Sequence, residues 1–465
     1  MFWSPLVLLL LSLLARGAPA PQAANEDDAD SVSPSSARSS TRTQSQAGSS
    51  TPFFSVSAKS QAETVAPVTN DPNRILWTIE DPRERFDPIR GMFGAPILGP
   101  QNVDLERQNA DLFNPPSSDS GSVPNVKWPF ALSHNRVQAG GWARQQNENV
   151  LPVAKNIAGV NMRLLPGAIR ELHWHNTAEW AYVLKGQAQI TVMNARGQNY
   201  LANVDEGDLW YFPPGLPHSV QGTSKDPGGT EFLLVFPTGA FSEDSTFMVT
   251  DWMGHVPKDV LAENFQVNIS KFDHIPDHAL WIFPSLPPPI NAKAIVSPDG
   301  APPDPFSFEL SKVKATQLPG GNVKIVDSTT FKVSKEIALA EIEVEPGAIR
   351  CVLLWHPTDD EWSFFVEGEA RVTIFASGDN SRTFNYQAGD VGYVPASFGH
   401  YVQNIGNTTL KFLEIFKTDR FEDISLNQWL ALTPPDMVKA HLGFDDETID
   451  ALQKQKPTVN GPRSN

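Results

Sequence analysis

An internal duplication constrains this 465-residue chain more than any other feature of its sequence. Pro166-Gly167-Ala168-Ile169-Arg170 recurs as Pro346-Gly347-Ala348-Ile349-Arg350, Trp174-His175 as Trp355-His356, and Glu179-Trp180 as Glu361-Trp362. Gly207-Asp208 recurs as Gly389-Asp390, and a histidine follows in each copy, His218 and His400. Phe232-Leu233 matches Phe412-Leu413, and Trp252, Pro257 and Asp259 match Trp429, Pro434 and Asp436. The spacing between Phe236 and Phe416 is 416 − 236 = 180 residues, the size of a domain rather than of a solenoid unit. Two homologous domains in tandem follow.

Each copy reads as short strands broken by turn residues. Ala188 to Val192 and Arg371 to Phe375 are rich in strand formers, with Gly186 and Gly368 before them. Forty prolines and 31 glycines fit an all-β chain better than a helical bundle. Each copy closes on a short helical stretch, the second with Thr433 as the expected N-cap. A Pro-rich segment joins the copies, and Leu286-Pro287-Pro288-Pro289 makes it a stiff connector. The expected organisation is a signal peptide over 1–20, a disordered tail or propeptide over 21–70 and an N-terminal arm over 71–125. The first domain then spans 126–283, the linker 284–305, the second domain 306–445 and a C-terminal tail 446–465.

The signal peptide rests on the apolar run from Pro5 to Ala15, too short to span a bilayer, followed by small residues at Ala18 and Ala20. Residues 25 to about 70 are Ser-, Ala-, Thr- and Gln-rich and carry few large apolar side chains, as disordered segments do. Two sequons, Asn268-Ile269-Ser270 and Asn407-Thr408-Thr409, agree with a secreted, extracellular or cell-wall glycoprotein. The net charge of −17 argues against nucleic acid and against anionic membrane surfaces as partners. The last ten residues are polar, so no lipid-anchor signal is expected. Cys351 is the single cysteine and forms no disulfide within the chain.

The chemistry concentrates in the first copy. His173 and His175 are two apart, so on a strand both imidazoles point to one face. Glu179 follows four residues later, and His218 lies beyond the turn Pro213-Pro214-Gly215, which aims it back across a barrel. Three imidazoles and a carboxylate suit Mn, Fe, Co or Ni in a site with open positions. The alternative is a set of ordinary strand histidines.

These residues resemble the cupin signature: Gly167, His173, His175, Glu179 and Gly186, then Gly207-Asp208, Pro213 and His218. The longer matches Arg170-Glu171-Leu172-His173-Trp174-His175 and Gly207-Asp208-Leu209-Trp210-Tyr211-Phe212-Pro213 resemble the bicupin oxalate decarboxylases, as does Ser425-Leu426-Asn427-Gln428-Trp429. The resemblance implies two double-stranded β-helix (jelly-roll) barrels, Mn(II) in each, and cleavage of oxalate to formate and CO2 with O2 required as a co-catalyst. It implies that Arg170 orients oxalate, a small dianion, through charge-assisted bonds. Assembly of copies into homo-oligomers is also implied.

The repeat itself exposes a difference. Trp252 and Trp429 are 429 − 252 = 177 apart, so the first copy carries three extra residues after Phe236. They fall in Phe241-Ser242-Glu243-Asp244-Ser245-Thr246, a polar loop that reads as a lid with Glu243 as its acid. The resemblance assigns Glu243 the protonation of the formyl carbon. Asp244 stands where the family lid has Asn, and its charge is expected to raise the Glu243 pKa or alter closure.

The second copy departs from the pattern. It reads Arg350-Cys351-Val352-Leu353-Leu354-Trp355-His356, with Leu354 in place of the first histidine and one residue inserted. His356, Glu361 and His400 remain as a weaker ligand set. The insertion is expected to shift the register locally and so turn Arg350 from the site. Cys351 is either a substitute ligand or an inert thiol. Glu414 replaces Leu234 among apolar neighbours, and is either the second-site proton donor that the resemblance implies or a structural carboxylate. The expected activity is that of an oxalate decarboxylase acting in the first copy. The rivals are an oxalate oxidase producing CO2 and H2O2, and a non-catalytic storage or ligand-binding bicupin.

Overall fold

The computed structural model describes Asn109, residues 123–456 and residues 458–461. The signal peptide, the tail and nearly all of the arm expected over 71–125 lie outside the described residues, as do the side chains of Cys351 and Val352.

Each copy is a pair of antiparallel sheets facing one another. In the first copy Asn135–Gln138, Gly141–Gln146, Ala158–Leu164, Thr230–Phe236, Glu179–Lys185 and Leu209–Phe212 pair in that order. The opposing sheet runs Phe247–Met248, Ile169–Trp174, His218–Gly222, Gln187–Met193 and Asn199–Asp205. The second copy repeats this order. Alternation puts Val160, Met162, Ile190, Phe212 and Phe232 between the sheets as a core. Gly186 and Gly368 both take a left-handed φ, +77° and +82°, at the turn that starts the equivalent strand in each copy.

The copies exchange edge strands. Lys127–Pro129 pairs with Asp390–Gly392 of the second copy, and Ser307–Phe308 pairs with Leu209–Trp210 of the first. The buried Lys127–Asp390 pair, at 3.3 Å, fastens one of these strands. The tail expected over 446–465 is not free either, because Val459–Asn460 pairs with Ile349–Arg350. Between the barrels Trp180, Tyr182 and Tyr211 pack with Trp362, Tyr393 and Ile415 in one shared core. A Cβ on Gly159 would stand 2.3 Å from the Trp362 ring, so the contact requires glycine there.

Residues 284–306 carry no helix or strand and lie along the first copy, held by Asn199 donating to the Ile295 carbonyl and Gln221 donating to that of Leu286. The closing helices are Val249–His255 and Lys258–Phe265 in the first copy, and Leu426–Ala431, Pro435–Leu442 and Asp446–Asp450 in the second. The helix expected to be capped by Thr433 starts one residue later, with Pro434 at the cap and Pro435 in the first turn. The Thr433 hydroxyl instead donates to the Trp429 carbonyl. Among the described residues no helix is long and apolar enough to cross a membrane.

Candidate metal centre and active site

The strand Ile169–Trp174 delivers His173, and His175 follows just beyond its end. Glu179 opens the next strand, and His218 opens its own after the Pro213–Leu216 turn. The register places His218 directly across from His173. One ligand atom from each of the four lies within 4.8 Å of the others, and all four residues are buried. The three Nδ1 atoms are each committed to a backbone carbonyl: His173 to Glu171 at 2.6 Å, His175 to Thr177 at 2.7 Å, and His218 to Leu216 at 2.8 Å. That arrangement protonates Nδ1 and leaves each Nε2 lone pair facing inward. His218 Nε2 is buried without a hydrogen-bond partner, which a metal would satisfy.

Electrostatics favour the ligand forms. Burial holds the His173 ring well below its ordinary value, and Arg170 and His218 add to the effect. Burial also lowers His218, against the pull of Glu179. For Glu179 burial opposes ionisation, yet His218 and His175 hold the carboxyl well below the usual range. Its Oε1 accepts from Trp210 Nε1 at 2.9 Å, which fixes Oε2 toward the imidazoles. Neutral imidazoles and an ionised carboxylate are the forms that bind a divalent ion.

Arg170 is 4% exposed and enters no ion pair among the described residues. Its Nη1 reaches Met248 Sδ at 3.4 Å, and its guanidinium lies 5.3 Å from the Trp281 ring centroid. Burial lowers its pKa, with Glu243 pulling back, but a guanidinium keeps its charge. A buried, unneutralised cation beside a metal cluster is a seat for an anion.

The segment from Ser242 to Thr246 covers this seat. Ser242 caps a short 3-10 turn, Glu243–Ser245, and the Glu243 backbone N–H donates to Gln145 Oε1 at 3.0 Å. Glu243 is 6% exposed and lines a cavity of about 10 Å³ with Arg170, His173, His175, Glu179 and Thr246. That volume admits about one water, so a dicarboxylate enters only when the segment moves. Burial pushes the Glu243 carboxyl up, against Arg170 and Arg136, and Asp244 adds to the rise.

The second copy gathers His356, Glu361 and His400, all buried. Leu354 pairs with His400 as His173 pairs with His218, so it occupies the missing ligand's register position. His400 Nε2 is left without a hydrogen-bond partner. Burial opposes protonation of the His400 ring, but Glu361 overcomes it and holds the ring above its ordinary value.

The expected displacement of Arg350 does not occur. Arg350 pairs with Val402 as Arg170 pairs with Val220, and the extra residue is absorbed between Arg350 and Leu354, where Leu353 takes a φ of +39°. What differs is its company. Arg350 Nε and Nη2 donate to the two Glu414 oxygens at 3.1 and 2.8 Å. Its Nη1 donates to the Thr458 carbonyl at 3.1 Å, and Asp423 lies 4.0 Å from Nη2. Glu414 thus has the geometry of the structural carboxylate, both oxygens taken.

The cupin profile matches residues 131–272 and again 309–450. The chain belongs to the cupin family. This bicupin is 50% identical over 373 residues to oxalate decarboxylase OxdC of Bacillus subtilis (strain 168), spanning 80% of this chain and 96% of that one. It is 42% identical over 375 residues to a probable oxalate decarboxylase of Arthroderma benhamiae, spanning 79% and 91%. A solved mutant of the Bacillus subtilis enzyme superposes with a TM-score of 0.74 at 49% identity, over 81% of the bicupin and 99% of that chain. A structure from work on the Mn(II) centers of that enzyme matches with the same TM-score and identity.

Sequence reasoning missed four residues of this bicupin's sites. Trp210 lies within Gly207–Pro213, where local sequence gives no partner, and only pairing across the sheet turns its indole to Glu179. Arg136 and Trp281, which stack at 3.7 Å, reach the site from 107 residues before Glu243 (243 − 136) and 38 after it (281 − 243). Asp423 stands in the shortened second-copy loop.

Proposed function

We propose that this bicupin is an Mn(II)-dependent oxalate decarboxylase whose reaction runs in the first copy. His173, His175, Glu179 and His218 hold the metal, and a weaker second ion sits on His356, Glu361 and His400. Bound Mn(II) supplies an electrophilic, redox-capable centre with open positions for small ligands. Arg170 takes the oxalate carboxylate, and its unpaired charge is the reason that seat is open. The net change is HO2C–CO2⁻ → HCO2⁻ + CO2. One proton leaves oxygen and one arrives at carbon, with no net oxidation. Glu243 is the group placed to deliver the latter: it is buried, faces the cavity, and its raised pKa keeps it protonated above the usual carboxyl range. An oxidase, which turns oxalate and O2 into 2 CO2 and H2O2, delivers no proton to carbon. The observation that carries the reading is this acid on a lid closed over a buried, unpaired arginine.

The test is to incubate the Mn-loaded protein with oxalate and O2 and quantify formate and peroxide together. Formate near one per oxalate is expected. Glu243→Gln is expected to lose about 10²- to 10⁴-fold in formate production, the usual contribution of a general acid. Because the Glu243 pKa is raised, the acid form survives at mildly acidic pH and formate production falls as pH climbs through that value. Peroxide without formate from the parent protein favours the oxidase, and neither product favours a storage or ligand-binding bicupin. Export as a glycoprotein belongs to the proposal as well, supported by the apolar amino-terminal run and by the exposure of Asn268 and Asn407. Assembly of copies also belongs to it, and exposed Trp252 and Trp429 support it.

A further inference from the structure

We infer that Arg136 is a positioning residue that latches the lid, and that it thereby sets the partition between formate and peroxide. The inference rests on the decarboxylase reading of the first copy. Arg136 lies on the strand Asn135–Gln138, and its Nη2 donates to Asp244 Oδ1. Its Nη1 lies 3.6 Å from Glu243 Oε2, is buried, and has no hydrogen-bond partner. One guanidinium therefore faces two consecutive carboxylates of the closed lid, bonding the outer and lying 3.6 Å from the inner.

Arg136 is itself held in place. Its guanidinium lies 3.7 Å from the Trp281 ring centroid, and Arg170 approaches the same ring at 5.3 Å. Trp281 has a φ of +58°, and its backbone N–H donates to Glu171 Oε2 at 2.9 Å. A bulky residue in that backbone region persists only where its surroundings enforce it. One indole thus sets the distance between the arginine that grips the lid and the arginine in the substrate seat.

The other face of the lid supports the assignment. A second cavity of about 390 Å³ lies there, lined by His134, Arg136, Arg144, Asn147, Glu243 and Asp244. Glu243 also lines the small inner cavity, so it is the wall between the two. The outer cavity is where the lid carboxylates go on opening, and its cationic lining suits an arriving anion. Asp244 is largely exposed, and a carboxylate there without Arg136 would only add charge beside Glu243. With Arg136 it becomes the handle that closes the lid. A closed lid keeps the proton-donating carboxyl over the substrate, whereas an open one admits water and separates acid from carbon.

The test uses the full-length, Mn-loaded protein with Arg136→Gln, Arg136→Lys and Asp244→Asn. Hydrogen–deuterium exchange of the 242–246 amides reads the latch without reference to turnover. In Arg136→Gln that exchange is expected to rise about tenfold, the scale of one lost charge-assisted bond. Peroxide per formate is expected to rise with it, with kcat for formate falling more than KM for oxalate changes. Arg136→Lys restores part of both, because an ammonium reaches Asp244 but does not face both carboxylates. Asp244→Asn moves both in the same direction by less. Unchanged lid exchange in Arg136→Gln at full Mn content overturns the latch. Faster exchange with an unchanged peroxide-to-formate ratio overturns its role in partition. A parent protein that forms neither product overturns the decarboxylase reading while the exchange result still decides the latch.

Discussion

Arg170 and Arg350 hold equivalent positions in two copies of one fold and keep opposite company. Arg170 is buried with no carboxylate bonded to it, beside four ligand residues and beneath a lid acid. Arg350 is buried too, but Glu414 takes it through two hydrogen bonds, Asp423 stands 4.0 Å away, and three ligand residues remain. Position in the barrel is thus shared, while availability for an anion is not. The lid accounts for part of this. Five residues, Ser242 to Thr246, precede the Phe247–Met248 strand in the first copy, and in the second only Glu422 and Asp423 precede Ile424–Ser425. The shorter loop brings Asp423 to the arginine, where the longer one carries Glu243 over the cavity.

The largest break in this comparison comes from removing the free charge. Arg170→Gln is expected to raise KM for oxalate by about 30-fold or more, on the scale of about 2–5 kcal/mol for a lost buried charge-assisted pair. Mn content should stay at the parent level, because Arg170 is not a ligand. Steady-state kinetics with metal analysis of the same sample reads both. An unchanged KM would mean that oxalate is seated without this guanidinium, and the contrast between the two arginines would lose its functional meaning.

Glu414→Gln probes the other side, through stability. It leaves Arg350 buried with a neutral partner, which is expected to cost about 3–5 kcal/mol and lower the melting temperature by several degrees. Formate production per folded molecule should stay near that of the parent. A loss of turnover without a loss of stability would return Glu414 to the role of a second-site acid.

Much of this difference was legible in the sequence, because the duplication supplied its own control. Leu354 against His173, Leu234 against Glu414 and the three extra lid residues all emerge from aligning the chain with itself. The ligand set was legible for the same reason, since its spacing is local to a strand and a turn. The strand exchange was not, because Lys127 meets Asp390 across 263 residues (390 − 127) and no local pattern encodes that pairing. The insertion does shift the register locally, but Arg350 keeps its place opposite Val402. A bulge at Leu353 confines the shift and the register recovers on both sides. Arg136 left no local signal, since its partners Asp244 and Trp281 are distant in sequence.

The smallest expected effect comes from restoring the missing ligand. Leu354 is 1% exposed and pairs with His400, so Leu354→His places a third imidazole at the register position that His173 fills in the first copy. Without metal, a buried ring lacking a partner is expected to cost about 1–3 kcal/mol. With Mn(II), that cost should be recovered and the metal content should rise toward two ions per chain, most clearly at mildly acidic pH. There Glu361 favours a protonated His400, and an ion bound by only three ligands must displace that proton. Oxalate turnover should hardly change, because Glu414 and Asp423 still occupy Arg350. Unchanged Mn content would show that the bulge at Leu353 turns the new ring from Glu361 and His400, so that backbone geometry as well as the lost histidine separates the two sites. A rise in turnover along with the metal would show that ligand number alone had silenced the second copy, and that the Arg350 ion pair yields to oxalate.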